Sequence, residues 1–214
     1  MSTTLEVDFF TSDMHFNHTK IIQWRERDGD VEEMNNDIID IWNDTVGPRD
    51  TVAILGDVLM GPRLEGLPLL SRLNGNLILL PGNHDHCWRG NRRRITEARN
   101  WPELYGQYAD IIDDGYYTIP GLPETVYMSH FPFWGDHVEE DRYMQYRPPF
   151  DPGTWLIHGH VHSLWRTNGN MINVGLDAWG RPLHTTEVTD LMEAEWTFET
   201  CPVPNPLSNR KESP

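Results

Sequence analysis

Leu5–Thr11 is apolar and β-branched, with Glu6 and Asp8 interspersed, and it runs straight into the polar Ser12-Asp13-Met14-His15. That pattern predicts a strand ending in a loop. From Asp30 the period changes. Met34, Ile38, Ile41/Trp42 and Val46 recur at helical spacing, and Asp30 with Glu33 three residues on has the spacing of a capping box. Gly47-Pro48 stops this helix. Thr51–Leu55 then reads as a short apolar strand ending at Gly56-Asp57. A short helix is expected over Leu67–Leu73, with Pro68 near its start and Asn74-Gly75 at its end. Asn76–Leu80 reads as a buried strand ending at Pro81-Gly82-Asn83-His84-Asp85. The order strand, helix, strand, helix, strand, with a polar loop after each strand, predicts an α/β layout with a largely parallel sheet. In such sheets the site lies beyond the carboxyl ends of the strands.

The second half has a different texture. Ile111–Ile119, Thr125–Ser129, Thr154–Ile157, Met171–Val174, Leu183–Val188 and Glu195–Thr200 all read as strands, with few helical segments between them. A second sheet packed on the first accounts for them. Pro, Asn, Ser and Lys dominate after Cys201, so residues 202–214 read as a tail and residues 1–201 as one domain.

Composition narrows the function. Of 214 residues, 17 are Lys or Arg and 33 are Asp or Glu, a formal charge of −16, which repels a phosphate backbone over most of the surface. No stable nucleic-acid complex is expected. No apolar run approaches a bilayer span, and Met1–Phe10 lacks a basic start, so neither a membrane anchor nor a secretory signal is expected. Two cysteines, Cys87 and Cys201, exclude a disulfide framework and fit a reducing, cytoplasmic compartment. The oligomeric state stays open. Ten histidines in so acidic a chain point toward divalent metal, which carboxylate and imidazole together bind.

The metal-competent side chains gather at strand ends. Asp13 and His15 form D-x-H, Asp57 follows Gly56, and Asn83, His84 and Asp85 lie in G-N-H-D. His130 follows Ser129, and His158, His160 and His162 form H-G-H-x-H. Residues two apart on a strand share a face, so Asp13 with His15, and His160 with His162, are expected to converge. Asp13-x-His15 alone, or Asp57 alone, reads better as ordinary strand-end turn chemistry, and His84 or His130 alone could be a satisfied histidine. Three histidines within five residues rarely serve packing.

In this order the five motifs resemble the calcineurin-like metallophosphoesterases, over residues 13 to 162. The phrases Thr11-Ser12-Asp13-Met14-His15-Phe16-Asn17-His18 and Asn173-Val174-Gly175-Leu176-Asp177 are most similar to small single-domain members from bacteria and their phages. A phage-encoded protein would work in the host cytoplasm. The resemblance implies a two-sheet α/β sandwich flanked by helices. It implies two divalent metal ions per chain, one held by Asp13, His15 and His162, the other by Asn83, His130 and His160, with Asp57 bridging. Nitrogen and oxygen ligands without thiolate favour Mn²⁺, with Fe²⁺ or Zn²⁺ as alternatives. His84 would be the non-ligand histidine that stabilises phosphoryl charge and protonates the leaving oxygen, and Asp85 would orient its ring. His18 and His158 are candidate substrate contacts. One departure stands out: many members read G-D-x-x-D-x-G, whereas Gly56-Asp57-Val58-Leu59-Met60-Gly61 lacks the second Asp.

The implied reaction is phosphoester hydrolysis by in-line attack of a metal-bridged hydroxide. A small phosphodiester, above all a 2′,3′-cyclic nucleotide, leads, because a single acidic domain offers neither cap nor basic groove. A phosphomonoesterase acting on nucleotides or phosphoproteins, a nuclease and a catalytically dead scaffold follow, in that order. Trp134–Phe150, rich in charge and aromatics, is a candidate substrate-side loop. Arg92-Arg93-Arg94 reads as a phosphate contact or, somewhat better, as a solvated helix face. Trp134, Trp155 and Trp165 flank the histidine motifs, and packing is their expected use over base stacking.

Overall fold

The computed structural model describes residues 2–25, 29–91 and 99–195. The two expected sheets are both present. In one, β2 (Phe9–Thr11), β3 (Thr51–Ile54), β4 (Asn76–Leu79) and β5 (Asp110–Ile111) run parallel, and β11 (Leu183–His184) pairs antiparallel at the β2 edge. The other has the order β1 (Thr3–Thr4), β6 (Gly115–Thr118), β7 (Val126–Met128), β8 (Leu156–His158), β10 (Met171–Asn173), β9 (Thr167–Asn168). Within it β7, β8 and β10 are parallel neighbours, whereas β6 with β7 and β9 with β10 are antiparallel.

Strand alternation sorts the apolar side chains into two cores. Phe9, Val52, Ile54, Leu77 and Leu79 face the helices, and there meet Met34, Ile38 and Trp42 of α2 (Val31–Thr45) and Ile21 of α1 (Thr19–Trp24). Their neighbours Phe10, Ala53, Leu55 and Leu80 face the other way and pack on Met128, Ile157, Ile172 and Val174 of the second sheet. The capping box forms as spaced: Asp30 Oδ1 accepts the Glu32 and Glu33 amides at 2.8 and 3.0 Å, and Glu33 Oε2 accepts the Asp30 amide at 3.0 Å.

Four expectations are corrected. The first strand is shorter than Leu5–Thr11, and α1 was not foreseen. Ile111–Ile119 is two strands in different sheets, because the chain crosses between them at Asp113-Asp114, where the Tyr117 hydroxyl donates to the Asp113 carbonyl at 2.6 Å. Leu183–Val188 is a strand only to His184. From Thr185 a helix runs to Glu195, burying Val188 and Met192 one turn apart, which outweighs the β-branched Thr-Thr-Val composition. Glu195 ends that helix, and the rest of Glu195–Thr200, the Arg92-Arg93-Arg94 run and the tail lie outside the described residues.

Candidate metal centre

The motifs meet where the two sheets present their carboxyl ends. Asp13 and His15 follow β2, Asp57 follows β3, Asn83 and His84 follow β4, His130 follows β7, and His160 and His162 follow β8. They lie past the strands, so the same-face rule is not what brings them together. Instead Asp13 (φ 57°), His15 (54°), Asp57 (54°), His160 (74°) and His162 (52°) all adopt the left-handed conformation. Each such residue costs about 1–2 kcal/mol relative to the right-handed form, and non-glycine cases cluster at functional sites. The loops are tied across: the Asp13, His15 and Phe16 amides donate to the carbonyls of Gly56, Asp57 and Val58 at 3.0, 3.0 and 2.8 Å. Gly56 (φ 89°) allows this close approach, since a Cβ there would lie 2.6 Å from Gly82 Cα and 2.7 Å from His130 Nδ1.

Two groups of ligand atoms result. Asp13, His15 and His162 converge with facing atoms within 4.8 Å of one another, and so do Asp13, Asp57 and His130. Asp57 Oδ2 lies 3.4 Å from His130 Nε2 and 3.9 Å from His15 Nε2, so one oxygen looks toward both groups. Asn83 Oδ1 stands 3.1 Å from His130 Nε2, and the His160 ring centroid is 5.2 Å from that of His130. The His130 Nδ1–H donates to the Leu55 carbonyl at 2.7 Å, which leaves Nε2 facing Asp57 and Asn83.

These atoms fit divalent cations. Both ring nitrogens of buried His15, and Asp13 Oδ1, have no hydrogen-bond partner, while Asp13 Oδ2 is engaged by the Ser12 hydroxyl at 2.6 Å and the His160 amide at 2.9 Å. Buried polar atoms left unpaired are costly, and a cation would take up the lone pairs of Asp13 Oδ1 and of the unprotonated His15 nitrogen. Burial alone would raise the Asp13 and Asp57 carboxyls, yet the surrounding imidazoles hold both below the usual carboxylate range. Burial would lower His130, but the Asp57 carboxylate draws it up to about 9. A cation between these groups satisfies the same attraction without the proton.

Around this centre the assigned roles divide. The His84 ring is 30% exposed, with Nε2 3.9 Å from Asp57 Oδ2. Asp85 does not orient it. Fully buried, the Asp85 carboxylate accepts the backbone amides of Asp57, Val58 and Gly82 at 2.8, 3.1 and 2.9 Å, and so clamps the second and third loops together. Burial, with Asp57 close by, pushes its carboxyl up to about 7. His158 is also corrected as a substrate contact: it is fully buried on β8, Nδ1 against the Gly159 carbonyl at 2.7 Å, and burial pulls it down to about 3. His18 stays at the rim, half-buried, its ring 5.3 Å from that of His15.

The sequence reading missed several neighbours. His137, in the Trp134–Phe150 segment, lies ring to ring 5.0 Å from His162 and 5.5 Å from His160. Asp177 accepts from His162 Nδ1 at 2.7 Å, and Asp136 from His160 Nε2 at 3.0 Å. Of the tryptophans, Trp155 is buried and Trp134 packs on Phe133 and Phe150, as packing predicts. The rim tryptophan is Trp24, 53% exposed, its ring 4.8 Å from His162 and 6.0 Å from His137. Among the described residues no helix is long and apolar enough to cross a membrane.

The calcineurin-like phosphoesterase family model matches residues 9–164, and the chain belongs to that family: it is a metal-dependent phosphoesterase. Two relatives are phage proteins matched over nearly their whole length. The Gene 66 protein of Mycobacterium phage L5 is 36% identical over 193 residues, covering 86% of this chain and 93% of that protein. The Gene 66 protein of Mycobacterium phage D29 is 34% identical over 198 residues, covering 86% and 94%. An uncharacterized protein of Methanocaldococcus jannaschii is 38% identical over 158 residues, 72% of this chain and 69% of that one. The crystal structure of a protein of unknown function from Aquifex aeolicus matches with a TM-score of 0.59 at 26% identity, over 87% of this chain and all of that one.

Proposed function

We propose that this protein hydrolyses small phosphodiesters, 2′,3′-cyclic nucleotides ahead of 3′,5′-cyclic ones, with two Mn²⁺ ions. The observation that carries the diester preference is the state of the arginines around the centre. Arg25 is engaged by Asp177 at 2.7 Å and Arg142 by Asp136 at 2.8 Å. Arg63 donates to the carbonyls of Gly61 and His84 at 2.6 and 3.1 Å, and Arg147 to those of Gly135, Arg142 and Pro132 at 2.8, 3.0 and 3.2 Å. Each of these four, among the described residues, is already tied to a carboxylate or to backbone carbonyls, which disfavours a clamp on the second charge of a monoester dianion. A diester carries a single charge, and two divalent cations meet it alone.

Asp13, His15, His162, Asn83, His130 and His160, with Asp57 between them, would hold the pair, which when bound supplies Lewis acidity and a water of lowered pKa. The side chains do the rest. His84, at the open face, stands where it can donate a proton to the leaving oxygen. Trp24 offers an exposed π surface for a base. The strained five-membered ring of a 2′,3′-cyclic phosphate is compact and needs no long groove.

With Mn²⁺, kcat/KM for a chromogenic diester is expected to exceed that for the matching monoester, and 2′,3′-cyclic nucleotides to outrun 3′,5′-cyclic ones. A monoester preferred by about tenfold would make this a phosphatase, and efficient cutting of long DNA a nuclease. Stacking on an aromatic ring is worth about 1–3 kcal/mol per base. Trp24→Ala is therefore expected to raise KM for a cyclic nucleotide roughly fivefold or more and to leave an alkyl phosphodiester unchanged. An equal rise for both would remove Trp24 from base contact.

A further inference from the structure

We infer that each metal position is aimed by its own arginine–carboxylate–imidazole relay: Arg25–Asp177–His162 for the first and Arg142–Asp136–His160 for the second. The two are built alike from unrelated parts of the chain. Arg25 Nε lies 2.7 Å from Asp177 Oδ1 and its Nη2 donates to Oδ2 at 3.2 Å, while His162 Nδ1 meets that same Oδ2 at 2.7 Å. Arg142 Nη2 donates to Asp136 Oδ1 at 2.8 Å and its Nε to Oδ2 at 3.1 Å, while His160 Nε2 meets that Oδ2 at 3.0 Å.

A carboxylate that accepts one ring N–H fixes the tautomer and turns the other nitrogen to the metal. His162 thereby presents Nε2 and His160 presents Nδ1. The guanidinium fork sets the plane of the carboxylate and keeps it ionised. Arg25 ties its relay further to the first loop, donating to the Asp13 carbonyl at 2.9 Å.

The second arginine has another task. Asp136, His137 and His160 have ligand atoms within 4.8 Å of one another, close enough to hold a cation themselves. Arg142 is placed against them, with Nη2 3.1 Å from His137 Nε2, and its charge excludes a competing ion from that position.

The test is Mn²⁺ titration of the metal-stripped full chain by calorimetry, which reads affinity without turnover. A His162→Ala background keeps the second position, and a His130→Ala background keeps the first. Adding Asp136→Asn to His162→Ala is expected to weaken the remaining Mn²⁺ about 10–100-fold, whereas adding Asp177→Asn leaves it unchanged. In His130→Ala the two substitutions exchange effects. Arg142→Lys keeps the charge without the fork, so it should give a smaller loss at the second position only, and it carries the comparison where Asp136→Asn fails to fold. Glu187→Gln, which breaks the remote 2.7 Å pair with Arg181, should change neither affinity. Loss at both positions from one substitution, or at neither, would overturn the relays. Wild-type protein that takes up fewer than two Mn²⁺ would overturn them together with the metal assignment.

Discussion

Asp57→Asn is expected to lose both Mn²⁺ ions and to hydrolyse no faster than the metal-stripped protein. The two side chains have the same shape, and Asn tolerates the left-handed backbone at φ 54°. Asp57 Oδ1 accepts the His84 amide at 2.8 Å, and the amide oxygen of Asn would keep that bond. Its NH₂ would then stand where Oδ2 now faces His130 at 3.4 Å and His15 at 3.9 Å. A donor would point at both metals in place of the shared lone pairs. His162→Ala should instead weaken one position and spare the other. Elemental analysis after gel filtration, paired with kcat/KM, checks both variants. Two Mn²⁺ per chain retained by Asp57→Asn would remove the bridging role.

His84→Ala is expected to behave in the opposite way, with metal kept and turnover lost. Its ring is partly open to solvent and makes no hydrogen bond to a candidate ligand side chain among the described residues, and only its amide supports Asp57. General acid help is worth about 10²–10⁴-fold, and it matters most when the leaving oxygen is basic. A cyclic nucleotide should therefore lose at least about 10²-fold in kcat, while a nitrophenyl diester, whose leaving group scarcely needs a proton, should lose much less. Equal losses for both substrates, or loss of Mn²⁺, would count against the role.

The gathering of the candidate ligands was legible because metal chemistry dictates residue types, and an α/β sheet dictates where they sit: at strand ends, in chain order. The helix at Val31–Thr45 was legible for a similar reason, since cap, apolar stripe and Gly-Pro stop all agreed. The left-handed loops were not, because Asp and His do not announce a positive φ as glycine does. Nor were the partners of the ligand histidines. Asp177 is 15 residues from His162 and Asp136 is 24 from His160, and no local period links such pairs. Asp85 misled for the reverse reason: its place beside His84 in the chain suggested contact with the ring, but buried backbone amides claimed its carboxylate. Thr185–Glu195 misled through composition, because β-branched residues at its start outweighed the spacing of Val188 and Met192.

The candidate ligands come from both sheets: Asp13, His15, Asp57 and Asn83 belong to loops of one, His130, His160 and His162 to loops of the other. The order of these residues in the chain has a consequence during synthesis. By the time Asn83 has left the ribosome, every contribution of the first sheet exists, but no imidazole of the second does. A nascent or truncated chain therefore carries only one of the four candidate ligand imidazoles, His15. The candidate centre is complete only once His162 has emerged and the two sheets have closed face to face. Phosphoesterase activity then belongs to the closed fold and not to its fragments.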